Sequence, residues 1–432
     1  MQWSAATIEG LAPDAASVSA ARKLARPGPW SETGHDERVV WGLCKGSGAR
    51  PYQTQVELAG PAYSCSCPSR KFPCKHALAL LLLWAGQPDA VPAGEPPAWV
   101  REWLDTRTTR AASRPAPGEP PRDPEAAARR AAEREARVAG GVDDLRRWLR
   151  DAVRGGLGAA RLRSWDEWDG FAARLVDAQA SGAASRLRSL GSVAAGRPED
   201  WPQRLLEGLA LLHLLCEAHE RADGPLRDDV RALLGWSVAR DDVLAGEHVQ
   251  DRWIVLARTI LEQECLRVQR TWLWGLETGR PALLLDFAPP GAPLEPRPPA
   301  GTAIGAALAF HPGAAPLRAI FAGEPGPLEP APGSFGSGGA EAALGTVAAV
   351  VAANPWIEEW PVTLVAAVPD GRDGGPWTAG TPDGALPLGG GELARWRLLA
   401  VSGGRPVSLF GLWNGTALTP LAAGDGTRTV AL

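Results

Sequence analysis

Lysine is nearly missing from this chain. Only Lys23, Lys45, Lys71 and Lys75 occur, all in the first 75 positions, and every other basic residue is arginine. The arginine and alanine excess reads as the codon bias of a GC-rich genome, and the lysine-bearing segment as one under separate constraints. A basic excess is missing too. The net charge is −4 over 432 residues, whereas a dedicated nucleic-acid binder carries surplus cations to neutralise phosphates. The longest apolar run, Ala77 to Ala85, falls far short of the ~20 residues of a membrane span. Met1-Gln2-Trp3-Ser4 opens without a charged n-region or apolar h-region, so the chain reads as cytoplasmic, with no membrane partner. Three catalytic signatures are lacking: a His-Glu-x-x-His, a Gly-x-Ser-x-Gly elbow, and a Lys-Ser/Thr after the glycine-rich stretch Gly333–Gly339. Nothing in the sequence supports an enzyme.

What is present is concentrated in one place. Cys65-Ser-Cys67, six residues, then Cys74-Lys-His76 set three thiols and an imidazole within twelve positions. That is a complete donor set for one tetrahedral Zn²⁺ of the structural kind, because a catalytic zinc keeps a fourth position open. Cys-x-Cys fits the end of a strand or a knuckle, and Pro68 stops the strand there. From Cys74 the pattern turns helical, with Gly86 as its stop. Upstream, Arg38–Cys44 and Tyr52–Leu58 read as two strands around a glycine-rich turn, so the expected unit is a ββα finger closed by metal. A cytosolic address favours metal over disulfide for this spacing.

These residues resemble the SWIM-type zinc finger over about residues 38–86, with Tyr52 upstream and Lys75-His76-Ala77-Leu78 downstream. The runs Trp41–Gly48 and Cys67–Cys74 are similar, more narrowly, to its bacterial members. The resemblance implies that Cys65, Cys67, Cys74 and His76 are the zinc ligands, and that the module serves DNA binding or protein–protein interaction. It also implies company: bacterial chains of this look accompany MoxR-type AAA+ ATPases and von Willebrand A-type proteins.

Length predicts an α+β multidomain chain. Residues 1–109 hold the finger. Residues 110–140 form a Pro-rich linker and a charged helix, started by Asp123 as N-cap and Pro124 at the first position. Residues 141–248 read as a helical bundle, with stripes Leu145/Trp148/Leu149/Val153, Trp165/Trp168/Ala172/Leu175 and Leu205/Leu206/Leu209/Leu212/Leu215. Residues 249–432 read as a mostly antiparallel β domain carrying a helix at Ala340–Ala353, with a late strand at Trp396–Ser402. Ala98–Leu104 is a short helix that packs back on the finger through Trp99 and Trp103.

Smaller groups carry less. His213, Cys216 and His219 fan over one helix; His213 and Cys216 read as packed and His219 as solvent-facing. Of the nineteen tryptophans, most sit at core spacing, and Trp356 with Trp360 is the best candidate for an exposed pair. Arg70, Lys71 and Lys75 surround the ligands. They either balance the one net negative charge of three thiolates on Zn²⁺ or meet phosphates. Phe72 sits between Lys71 and the last ligand pair, so Arg70, Lys71, Phe72 and Lys75 are the candidate contact residues. The expectation is a zinc-stabilised protein–protein adaptor. The alternative is a DNA-binding protein that uses the basic loop.

Overall fold

The computed structural model describes the chain except for residues 1–2, 4, 10, 13–14, 47–50, 59–61, 68–72, 113–122, 197–198, 264–265, 290–291 and 372–374. It divides into two compact units. The first comprises residues 1–116 with 259–270 and 285–297, and the second the remainder.

In the first unit come α1 (Ala5–Glu9), α2 (Ala15–Leu24), β1 (Trp30–His35), β2 (Val39–Cys44), β3 (Tyr52–Glu57), β4 (Ala62–Cys65), α3 (Lys75–Gly86) and α4 (Ala98–Ala112). The strands form one antiparallel sheet in sequence order. The finger is thus larger than the expected ββα unit: β1 and β4 add two strands. β2 reads Val-Val-Trp-Gly-Leu-Cys because both its faces are covered. Val40 and Cys44 turn toward the core that holds α3, while Val39 and Trp41 meet Val100 and Leu104 of α4. Trp99 and Trp103 are half-buried against that second cluster, so α4 packs back on the sheet as expected. α3 is apolar on nearly every side and is buried from His76 to Leu81 and at Leu83. Leu78, Leu80, Leu81 and Leu83 are at most 1% exposed, each contributing about 1.5–3 kcal/mol by burial. α1 and α2 supply the outer cover through Ile8, Leu11 and Ala21.

The second unit begins with α5 (Pro124–Arg154), α6 (Leu157–Leu162), α7 (Trp165–Asp177), α8 (Ser181–Gly196), α9 (Trp201–Arg221), α10 (Gly224–Leu234) and α11 (Arg240–Leu244). Asp123 caps α5 by accepting from Ala126 N at 2.9 Å. α5 runs straight through Gly140-Gly141, so the expected boundary at 140/141 falls inside one helix. Gly141 is there for close approach: a Cβ at that position would lie 2.6 Å from Ala178 Cβ. α5, α7, α8 and α9 share one core built on Leu145, Trp168, Leu187 and Leu209. Three members of the expected stripes are not in it. Val153, Trp165 and Leu206 are exposed, because four helices facing one core bury a narrower arc than the apolar pattern covers.

Next along the chain come β5 (His248–Gln263), β6 (Leu266–Gly275), β7 (Pro281–Ala288), β8 (Thr302–Phe310), β9 (Ala319–Phe321) and β10 (Leu328–Pro330), with residues 259–263, 266–270 and 285–288 of the first three strands counted in the first unit. After α12 (Ala340–Ala353) follow β11 (Trp360–Asp370), β12 (Thr378–Thr381), β13 (Gly384–Pro387), α13 (Glu392–Ser402), β14 (Val407–Trp413), β15 (Leu418–Gly424) and β16 (Thr429–Ala431). One six-stranded sheet runs β10-β8-β5-β6-β7 with β9 on β8, and a second runs β13-β12-β11-β14-β15-β16. The strand expected at Trp396–Ser402 is the second half of α13. A short apolar run fits either element; here Gly403, at φ 55°, closes a helix. Trp356 and Trp360 are also corrected: both are buried. Trp356 joins the bundle core and donates its Nε1–H to Leu211 O at 2.9 Å, which locks the helical and β parts of the second unit together.

Candidate metal centre

Three elements aim the donors. β4 ends at Cys65, whose ladder partner on β3 is Thr54. The turn after it is pinned to β3 twice, by Gln53 N to Ser66 Oγ at 2.9 Å and by Ser66 N to Gln53 O at 3.0 Å. That presents Cys67 beside Cys65. Cys74 is the N-cap of α3, with extended φ/ψ of −74° and 164°, and His76 is the second residue of the helix. Lys75, between them, is exposed at the helix start.

The donor atoms of Cys65, Cys67, Cys74 and His76 all lie within 4.8 Å of one another. Cys65 Sγ is 3.7 Å from His76 Nδ1. Zinc–sulfur and zinc–nitrogen bonds of about 2.3 and 2.0 Å at tetrahedral angles require donor–donor edges of roughly 3.6–3.8 Å, so the constellation fits one Zn²⁺. The four residues are positioned to bind it. The hydrogen bond between Cys65 and Cys74 pulls the Cys74 thiol well below its usual range and, with burial, pushes Cys65 well above it. Three thiolates this close repel, and a divalent ion relieves that. The peptide N–H groups at the start of α3 favour negative charge on Cys74 further.

The supporting residues extend the set. Thr54 Oγ1 lies 3.3 Å from Cys65 Sγ, where its hydroxyl can donate to the thiolate. The ring of Tyr52 packs on His76 with centroids 5.1 Å apart, which holds the imidazole in place. Tyr52 stands out in the sequence. Thr54 does not, because its role depends on cross-strand register. Cys44, buried nearby, is not a donor; burial raises its thiol to about 11. Arg70, Lys71 and Phe72 lie outside the described residues. Among the described residues this is the one Cys/His/acid cluster with metal-binding geometry. The His213, Cys216 and His219 group is dispersed. Cys216 is buried in the bundle core, His213 is only half-buried, and His219 is half-buried and stacks on Trp236 at 6.4 Å.

No helix among the described residues is long and apolar enough to cross a membrane. Compared with known families, residues 52–85 match the model of the SWIM zinc finger and residues 133–234 that of the SWIM-associated four-helix bundle domain. The second stretch runs from within α5 to the end of α10. No curated protein and no solved structure matches the chain.

Proposed function

We propose that this chain, a SWIM-type zinc-finger protein by its finger and its bundle, is a protein–protein adaptor whose zinc is structural. The observation that carries the reading is the closed donor set: three thiols and an imidazole satisfy the metal, so no position remains for substrate. Bound zinc would supply a cross-link between the end of β4 and the start of α3. The chain's own residues support a rigid scaffold, with most of α3 buried and β2 covered on both faces. Its partners are proposed to be a MoxR-type AAA+ ATPase or a von Willebrand A-type protein, as the family resemblance implies. The test is co-purification of the full zinc-loaded chain with each such protein from the same genome, after nuclease treatment. A stoichiometric complex is expected. Failure with both, together with nuclease-sensitive recovery of nucleic acid, would overturn the reading.

A DNA-binding role is the second reading, favoured by exposed Lys75 and by Arg70 and Lys71, which neighbour the ligands in sequence. Three cations meet about three phosphates, so the slope of log K against log salt would be no steeper than about −3. Weak, sequence-independent duplex binding is expected at physiological salt. A slope near −6, or sub-micromolar sequence-selective binding, would promote this second role.

A further inference from the structure

Among the described residues the bundle leaves Val153, Trp165, Val176, Leu206 and Leu214 exposed, and two of them, Val153 and Leu206, share one groove. It lies between α5 and α9, has a volume of about 370 Å³, and is floored by Leu149 and Leu209. Val153 and Leu206 form its walls and are 52% and 48% exposed. Two branched aliphatic side chains left half in water on facing helices are a cost that a covering surface would remove. A channel between two packed helices has the shape that accepts a third helix, ridge into groove.

Among the described residues, the formal charges in the lining of the groove are those of Arg150 and Arg154. Arg150, Arg154 and His213 are the only ionisable residues in its lining, and no carboxylate is among them. Arg150 is 55% exposed, and Glu217, just outside the lining, lies 3.9 Å from it and 4.0 Å from His213. Glu217 is already held more closely by Arg146 at 3.1 Å and Arg221 at 3.2 Å. Arg154 is exposed in the last turn of α5. An apolar floor with an arginine edge complements one kind of ligand: leucine-like side chains along one helical face, flanked by Asp or Glu.

We propose that the α5–α9 groove is a docking site for an acidic amphipathic helix of a partner protein. This deepens, and rests on, the reading of the chain as a protein-binding adaptor, and adds a contact face remote in sequence from the finger. The partner's i, i+3, i+4 and i+7 side chains would cover Val153 and Leu206, and its flanking carboxylates would pair with Arg150 and Arg154. Charge selects the partner and apolar burial holds it.

The test uses the full zinc-loaded chain and two synthetic helical peptides of about 15 residues, a length at which an isolated helix becomes marginally stable. Both carry leucine at i, i+3, i+4 and i+7; one has glutamate on its flanks, the other lysine. By titration calorimetry the glutamate peptide should bind at least about tenfold more tightly, and added salt should weaken it. The Arg150→Glu/Arg154→Glu variant should reverse the preference, and Leu206→Asp should abolish binding of the glutamate peptide. All three substituted side chains are exposed, and circular dichroism checks that the bundle stays folded. Equal binding of the two peptides, no binding of either, or an affinity untouched by the charge reversal would overturn the proposal. Co-purification with the ATPase or the von Willebrand A-type protein reports on the adaptor reading separately. If the unsubstituted chain forms that complex while the peptide results fail, only the groove is refuted.

Discussion

Stripping the metal with a chelator should unfold the N-terminal stretch of the first unit, residues 1–112, and leave the second unit standing. Zinc binding in small finger peptides is worth roughly 10–16 kcal/mol, as large as the whole stability of an ordinary domain. In this chain the ligands sit at the start of α3, and α3 is the element on which α1, α2 and the sheet all pack. Releasing its first turn should therefore loosen more than residues 65–76. Elemental analysis should return about one zinc per chain before treatment. After it, limited proteolysis should cut before about residue 110 and spare a fragment beginning near Pro124, where α5 starts, while one of two calorimetric transitions disappears. Cys74→Ser should reproduce the effect without chelator. Acidification should act in the same direction, because the thiols must lose their protons to bind metal and affinity therefore falls with pH. A metal-free chain whose first unit stays protease-resistant would show that the hydrophobic core alone suffices.

The second large effect concerns two tryptophans. Trp356→Ala should destabilise the second unit by about 3–5 kcal/mol, the cost of emptying a buried aromatic site. The indole fills space in the bundle core and spends its N–H on Leu211 O. Trp165→Ala should cost about 1 kcal/mol or less, since that ring is 47% exposed at the start of α7. Urea unfolding of the two variants against the parent chain separates them. Sequence spacing alone assigns the opposite order, with Trp165 in a core stripe and Trp356 at the surface. Similar costs for both would place the β part of the unit apart from the bundle.

The metal centre was almost wholly legible in the sequence, because chelation is local chemistry. Four donors within twelve residues can reach one ion whatever the rest of the chain does, and the cap at Asp123 is legible for the same reason. The strands from Val39 to Glu57, α12 and the bundle's periodicity were readable too, since they follow from side-chain alternation along short segments. What needed the tertiary structure is everything that depends on a distant surface. Thr54 supports Cys65 only through the β3–β4 register. Gly140-Gly141 looks like a break until Ala178 is placed against it. Trp396–Ser402 is a helix because its buried face, with Leu398 and Ser402, meets the sheet that needs covering. The apolar stripes show which residues want burial, but not how wide an arc the neighbouring helices cover. Val153 and Leu206 lie outside that arc. Burial is a property of two surfaces, and a one-dimensional pattern records only one of them.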